Sequence, residues 1–203
     1  KIEFAKQFWM EEEQFIAIAL DGQGRKVGSV SSNPGHCLFT GILDDDKAQI
    51  VARRLMGEDF NSGWGIRTLA GSASAFNPIS YHNGSIWPHD NAIIAEGFRK
   101  LGRVSDVHKI MRGLLEVAQC EPDFRLPELF CGFDRIKSAA PIDYPVSCSP
   151  QAWAAGSMFQ LLSACVNFQP DAVNKRLHIV EPSLPKWLGN VEMRNIRVGQ
   201  AEV

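Results

Sequence analysis

Residues 77–91 read Asn77-Pro78-Ile79-Ser80-Tyr81-His82-Asn83-Gly84-Ser85-Ile86-Trp87-Pro88-His89-Asp90-Asn91. Up to Trp87 this stretch has neither helical nor strand periodicity, and its Asn, Gly and Ser content marks a loop. At Pro88 the character changes. Proline is pre-organised for the first position of a helix, and Asp90 puts negative charge in the first turn, where the helix dipole favours it. Asn91, Ile94, Phe98 and Leu101 then fall on one face until Gly102 ends the run. A long loop rich in aromatic, imidazole and amide side chains thus runs into the N-terminus of an amphipathic helix, a pattern belonging to helical hairpins that carry their chemistry on connecting loops.

The same pattern recurs outward from this point. Downstream, Ser105 is placed to cap a partner helix bearing Val107, Ile110, Met111, Leu114 and Ala118. A second long loop, 121–148, ends at Ser149-Pro150, an N-cap serine with proline at N1, for a helix to about Phe168. Leu177–Val180 and Val191–Val198 alternate as strands. Upstream, residues 58–86 form the first long loop. Before it, the Asp44-Asp45-Asp46 cluster opens a helix carrying Ile50, Val51, Arg54 and Leu55 to Gly57, preceded by a short apolar helix at 36–43. Phe15–Leu20 and Arg25–Val30 read as a β-hairpin around Asp21-Gly22-Gln23-Gly24, with Asp21 as its corner residue. Phe4 and Phe8, with Ala5 and Trp9, give residues 1–12 a helical aromatic stripe. The chain opens in mid-helix, as a piece of a larger protein would. Loops of this length in a compact domain tend to be functional. Both end at a helix N-terminus, so both are expected on one face.

Composition narrows the function classes. Of 203 residues, 45% are hydrophobic and 22% charged, with a formal net charge of -2. This is an ordinary globular balance, with no basic face for nucleic acid and no polybasic membrane patch. No apolar run reaches the ~18 residues of a membrane span. The five cysteines are an odd number without a C-x-x-C pair, which suits buried free thiols in a reducing compartment such as the cytoplasm. His82 and His89 are seven apart on a loop, an unspecific spacing, so no metal site is expected, nor any cofactor. Dinucleotide, Walker, H-E-x-x-H and G-x-S-x-G motifs are lacking.

The first loop gathers Trp64, Arg67, Tyr81, His82, Asn83, Trp87, His89 and Asp90 without hydrophobic periodicity. Flat rings that stack on the C–H faces of pyranoses, beside forked polar groups that bind hydroxyls, are what a sugar site needs. The same residues could instead brace a long loop through a satisfied hydrogen-bond network. In the second loop, Glu128 is a lone carboxylate in an apolar stretch, either paired to Arg125 for stability or functional.

Four motifs taken together resemble a known family: SGWGIRTL (62–69), NPISYHNGSIWPHDNAIIAEG (77–97), RLPELFCGF (125–133) and SPQAWAAGS (149–157). They are similar to the C-terminal catalytic region of bacterial glycogen-debranching-type proteins. This is the amylo-α-1,6-glucosidase-like group of six-hairpin glycosidases, related to the α,α-trehalases and processing α-glucosidases. The similarity extends from the FW and ALDG near the start to PSLPKWL (182–188). It implies a mainly α fold, the C-terminal half of an (α/α)6 toroid over 1–170, with a short strand-containing tail over 171–203. It implies hydrolysis of an oligosaccharide or α-glucan by inversion, with one carboxylic acid protonating the leaving oxygen and a second activating water. Glu128 then matches the general base, and the general acid is expected upstream of Lys1. Gln151 and Trp153 join the candidate lining of the sugar subsites. A half-toroid should expose an apolar edge, with the Phe4/Phe8 stripe on it, for the remainder of its own chain or a self-associating copy. Two alternatives stand beside this reading. One is another six-hairpin glycosidase, trehalase-like or acting on a mannosyl-glycoside. The other is a non-catalytic carbohydrate-binding or structural segment.

Overall fold

The computed structural model describes residues 1–135, 140–198 and 200–202. In chain order they form α1 (Ile2–Phe8), β1 (Trp9–Met10), β2 (Phe15–Ile16), β3 (Ala19–Leu20), β4 (Lys26–Val27), α2 (Pro34–Thr40) and α3 (Asp45–Leu55). There follow α4 (Pro88–Lys100), α5 (Val104–Cys120), α6 (Ala152–Val166), β5 (Phe168–Asp171), β6 (Arg176–Ile179), β7 (Arg197–Val198) and β8 (Ala201–Glu202). The strands form four separate antiparallel pairs, β1 with β2, β3 with β4, β5 with β6 and β7 with β8. The architecture is mainly helical, and α4 is its hub, packed against α2, α5 and α6.

The helices form where the apolar spacing places them, with caps that differ in part from those the sequence suggests. Asp44 caps α3 by accepting from the Lys47 N–H at 2.9 Å. The α5 stripe of Val107, Ile110, Met111, Leu114 and Ala118 is buried as a unit. Ser105 does not cap that helix: α5 begins at Val104, with Arg103 in the cap position. Nor does Ser149-Pro150 start α6. Gln151 does, its Oε1 accepting from the Ala154 N–H at 3.0 Å, so a residue expected to bind substrate is occupied with capping. The first helix stops at Phe8 because Trp9 and Met10 turn to pair with Ile16 and Phe15. The hairpin around Asp21 is correspondingly short, and Asp21 holds its corner by accepting from the Gln23 and Arg25 N–H groups, both at 2.9 Å. Of 191–198, Arg197–Val198 alone pairs as a strand, with the two-residue β8.

Glycines set how closely α2 and α4 approach. A methyl at Gly97 would lie 2.6 Å from Leu38 Cβ, and one at Gly35 would run into Ile94. Only a hydrogen there lets the two helices meet backbone to backbone.

The long loops are joined to one another by an irregular ladder of single bridges: Ser31 with Leu69, Arg67 with Ile86, Ile86 with Phe130, and Phe130 with Asp143. Ile86 and Phe130 exchange N–H to carbonyl bonds at 2.9 and 3.1 Å, and both side chains are fully buried. Gly132 lies so near Gly84 that a Cβ would overlap its carbonyl oxygen. The ladder lays the second loop across the first beside the N-termini of α4 and α6, so the shared face expected from the sequence is present.

The exposed apolar edge lies elsewhere than expected. Phe4 and Phe8 stack on each other, centroids 4.8 Å apart, and pack partly buried against the core. It is the outer face of α6 that is left uncovered, with Trp153 58% and Phe159 77% exposed and open space over Gly156, while its other face packs on α4 and α5. Of the five free cysteines, Cys131 and Cys165 are buried, while Cys120 and Cys148 are exposed. Among the described residues, no helix is long and apolar enough to cross a membrane.

Candidate active site

Where the loop face meets the α4 N-terminus, a cavity of about 500 Å³ opens. His82, Asn83, Trp87, His89, Asp90 and Trp153 line it, all six anticipated from the sequence. The rings form a continuous wall. His82 and Trp87 are nearly parallel, 9° apart, and His89 stacks on Trp153 with centroids 4.4 Å apart. Trp87 meets the edge of His89 at 5.4 Å. Trp87 is itself held, its indole N–H donating to Ser85 Oγ (2.9 Å) and the Tyr81 carbonyl (3.2 Å). Asn91, fully buried, clamps the loop to the helix: its Oδ1 accepts from the Ile66 N–H, and its amide donates to the Ile66 and Trp87 carbonyls.

Tyr81 links this wall to Glu128. Its ring packs edge-on against His82 and Trp87, and its hydroxyl donates to Glu128 Oε1 at 2.8 Å. That hydrogen bond holds the phenol above its usual pKa, so Tyr81 stays a donor. Among the described residues, Glu128 Oε2 has only a 3.5 Å contact from the Cys148 N–H. No ion pair joins Glu128 to exposed Arg125 among the described residues, so the stabilising pair considered from the sequence is not formed.

Three anticipated residues lie outside this arrangement: Gln151, which caps α6, Trp64 and Arg67. Trp64 is buried at 5% exposure, with Arg135 over its ring at 4.4 Å and its carbonyl against Gly113 of α5. Arg67, 3% exposed, donates to the Gly132 carbonyl (2.7 Å), the Glu58 carbonyl (3.3 Å) and Asp134. Successive side chains of extended backbone leave on opposite sides. Thr68 lines the main cavity, while Arg67 faces a second hollow beside Phe76 and Pro78.

Other lining residues were not anticipated. Ser32 Oγ donates to Asp90 Oδ2 at 2.7 Å, and His36 Nε2 lies 2.5 Å from Asp90 Oδ1. The hydrogen bond to Asp90 raises the His36 pKa against the opposing effect of burial. His89 is moved the other way, burial lowering its pKa while the charges of Asp90 and Glu128 oppose. Its Nδ1, like Ser31 Oγ at the same cavity, is buried without a hydrogen-bond partner among the described residues.

Residues 3–130 match the family of the mannosylglycerate hydrolase MGH1-like glycoside hydrolase domain, a span that includes Glu128 and the aromatic loop. The chain belongs to this family. Solved structures agree on the fold. An uncharacterized conserved protein from Thermus thermophilus superposes with a TM-score of 0.62 at 19% identity, over 76% of this chain and 36% of that one. A GH63 mannosylglycerate hydrolase of the same organism, in complex with glucose, gives 0.62 at 20% identity, over 77% and 34%. The same enzyme with Tris and D-glycerate gives 0.59 at 19% identity, over 77% and 35%. This chain therefore spans about a third of the length of the structures it matches, and its fold is part of an α/α toroid of the glycosidase type. No curated protein matches it. The family is a six-hairpin glycosidase-type one and is not specifically glycogen-debranching, which corrects the finer expectation drawn from the motifs.

Proposed function

We propose that the protein is an inverting glycoside hydrolase acting on a mannosyl-glycoside, with Glu128 as general base. The observation that carries this is the 2.8 Å bond from Tyr81 to Glu128, which fixes a carboxylate beside an aromatic-walled cavity. Aromatic faces suit the C–H surface of a pyranose. With Oε1 engaged by Tyr81, Oε2 is the oxygen free to take a proton from an attacking water. The matching family favours the mannosyl-glycoside reading over an α-glucan one.

Inversion requires a second carboxylic acid, about 6.5–9.5 Å from the first. Ser32 and His36 each place a hydrogen-bonding group on one oxygen of Asp90 and hold it as an acceptor, so we assign the proton-donating acid to the part of the toroid outside this chain. That part, or a second copy of the chain, is expected on the uncovered α6 face around Phe159. His82, Asn83, Trp87, His89, Asp90 and Trp153 line the glycosyl subsite in this account, with Tyr81 positioning the base. Trp64, Arg67 and Gln151 serve the fold.

The test is to follow hydrolysis of mannosylglycerate by NMR with full-length protein. The first-formed mannose should be the β anomer from an α-linked substrate. Release of the α anomer, or no cleavage of any mannosyl-glycoside, would overturn the assignment.

A further inference from the structure

Asp90 and His36 come together at the cavity from separate helices, 54 positions apart. Asp90, in the first turn of α4, uses one lone pair on each oxygen for Ser32 and His36, and a carboxylate accepts about four bonds. The His36 side chain is 44% exposed, and its second nitrogen, Nδ1, makes no hydrogen bond among the described residues. When His36 carries both ring protons, an N–H donor and a carboxylate acceptor stand side by side on a wall that also carries the stacking rings. Such a pair suits a neutral ligand that offers an acceptor next to a donor. Two adjacent pyranose hydroxyls meet that description, and charge-assisted hydrogen bonds to them are about twice as strong as neutral ones. A purely structural role for the pair is not needed to join α2 to α4, because the contacts of Gly35 with Ile94 and Gly97 with Leu38 already do so.

We propose that His36 is a sugar-binding residue and that the His36–Asp90 pair grips two neighbouring hydroxyls of the glycosyl ring, His36 Nδ1–H donating to one oxygen and Asp90 accepting from the next. This rests on the mannosyl-glycoside reading and deepens it. The pair sets which ring stereochemistry is accepted, because only one orientation of adjacent hydroxyls matches a donor and an acceptor in fixed positions.

The experiment is a cycle between protein and ligand, read by calorimetry. Methyl α-D-mannopyranoside and its 2-, 3-, 4- and 6-deoxy analogues are titrated into wild-type protein, His36→Ala and Asp90→Asn. The variants should bind the parent glycoside roughly 10–100-fold more weakly, the loss expected for one hydrogen bond to a charged group. One deoxy analogue should show the same loss with wild type and no further loss with His36→Ala. The analogue lacking the adjacent hydroxyl should behave likewise with Asp90→Asn. Binding by His36→Ala within twofold of wild type, or an equal loss on every analogue, overturns the proposal. Should His36→Ala fail to fold, the ring nitrogen resonances of His36 in wild-type protein decide. They move with the parent glycoside and stay still with the analogue, or the proposal is wrong. If wild type binds no mannoside but does bind methyl α-D-glucopyranoside, the mannosyl reading fails and the clamp is judged with the glucoside series. If it binds neither, both fail.

Discussion

The Tyr81 hydroxyl reaches Glu128 Oε1 across 2.8 Å, although 47 residues and two helices separate them in sequence. The bridge between Ile86 and Phe130 makes this possible. It lies a few residues from each partner and lays one loop on the other before either side chain is placed. Tyr81→Phe keeps the edge-on packing against His82 and Trp87 and removes only the donor. If Tyr81 positions the base, the variant loses roughly tenfold in kcat with KM within about twofold, consistent with one hydrogen bond to a charged group. An unchanged kcat, or a KM effect alone, would show that the bond does not serve catalysis.

Trp87→Ala should behave in the opposite way. It removes the ring between His82 and His89 from the cavity wall, a contact made equally in ground and transition states. KM is expected to rise about tenfold or more with kcat changed much less. Steady-state kinetics on the folded variant checks this.

The charged pair gives a pH signature in stability. Asp90 raises the folded-state pKa of His36 above its unfolded value of 6.5. The stabilisation is thus complete below about 6.5 and is lost as pH rises through the higher folded value. Burial of His89 works in reverse, its contribution being full above 6.5 and lost as pH falls through its lowered pKa. The Tm of wild type minus that of His36→Gln isolates the first effect. It should be larger at pH 5.5 than at pH 8.5. A difference constant across that range would show that the pair contributes nothing through charge.

Gly97→Ala tests how α2 and α4 meet. In an open helix this change gains roughly 1 kcal/mol. Here the added methyl would sit 2.6 Å from Leu38 Cβ and 2.8 Å from the Phe39 nitrogen, which is backbone and cannot rotate away. Overpacking of this kind costs roughly 1–3 kcal/mol, and for a chain of this length 1 kcal/mol is about 2–4 °C in Tm. Calorimetry should therefore find a lower Tm. A higher one would mean that the two helices separate freely.

What could be read in the sequence was what is decided locally. Pro88 starting α4, Asp44 capping α3, the α5 stripe and Asp21 at its hairpin corner each depend on neighbours within a few positions, and all four are present. The shared face followed from two loops ending at helix N-termini. Side-chain direction within the loops was not legible. Trp64 and Arg67 have the chemistry of a sugar site, but between the bridges at Asn61–Ile66 and Arg67–Ile86 the Trp64 ring lies under Arg135 and Arg67 faces the second hollow. His36 and Ser32 were missed because their signal is a partner more than fifty residues away, in a stretch that reads only as the approach to a short helix. Gln151 displaced Ser149 as a cap for a similar reason, since either could supply an acceptor and the path of the loop chooses between them.

Glu128 as general base stands or falls on kcat of the full-length Glu128→Gln enzyme with mannosylglycerate, with Tm measured on the same preparation. The amide is nearly isosteric and can still accept from Tyr81, but it cannot take a proton from water. General-base assistance is worth about 10²–10⁴-fold. A loss of that size in kcat is expected, with KM and Tm close to wild type. Turnover within a few-fold of wild type would contradict it.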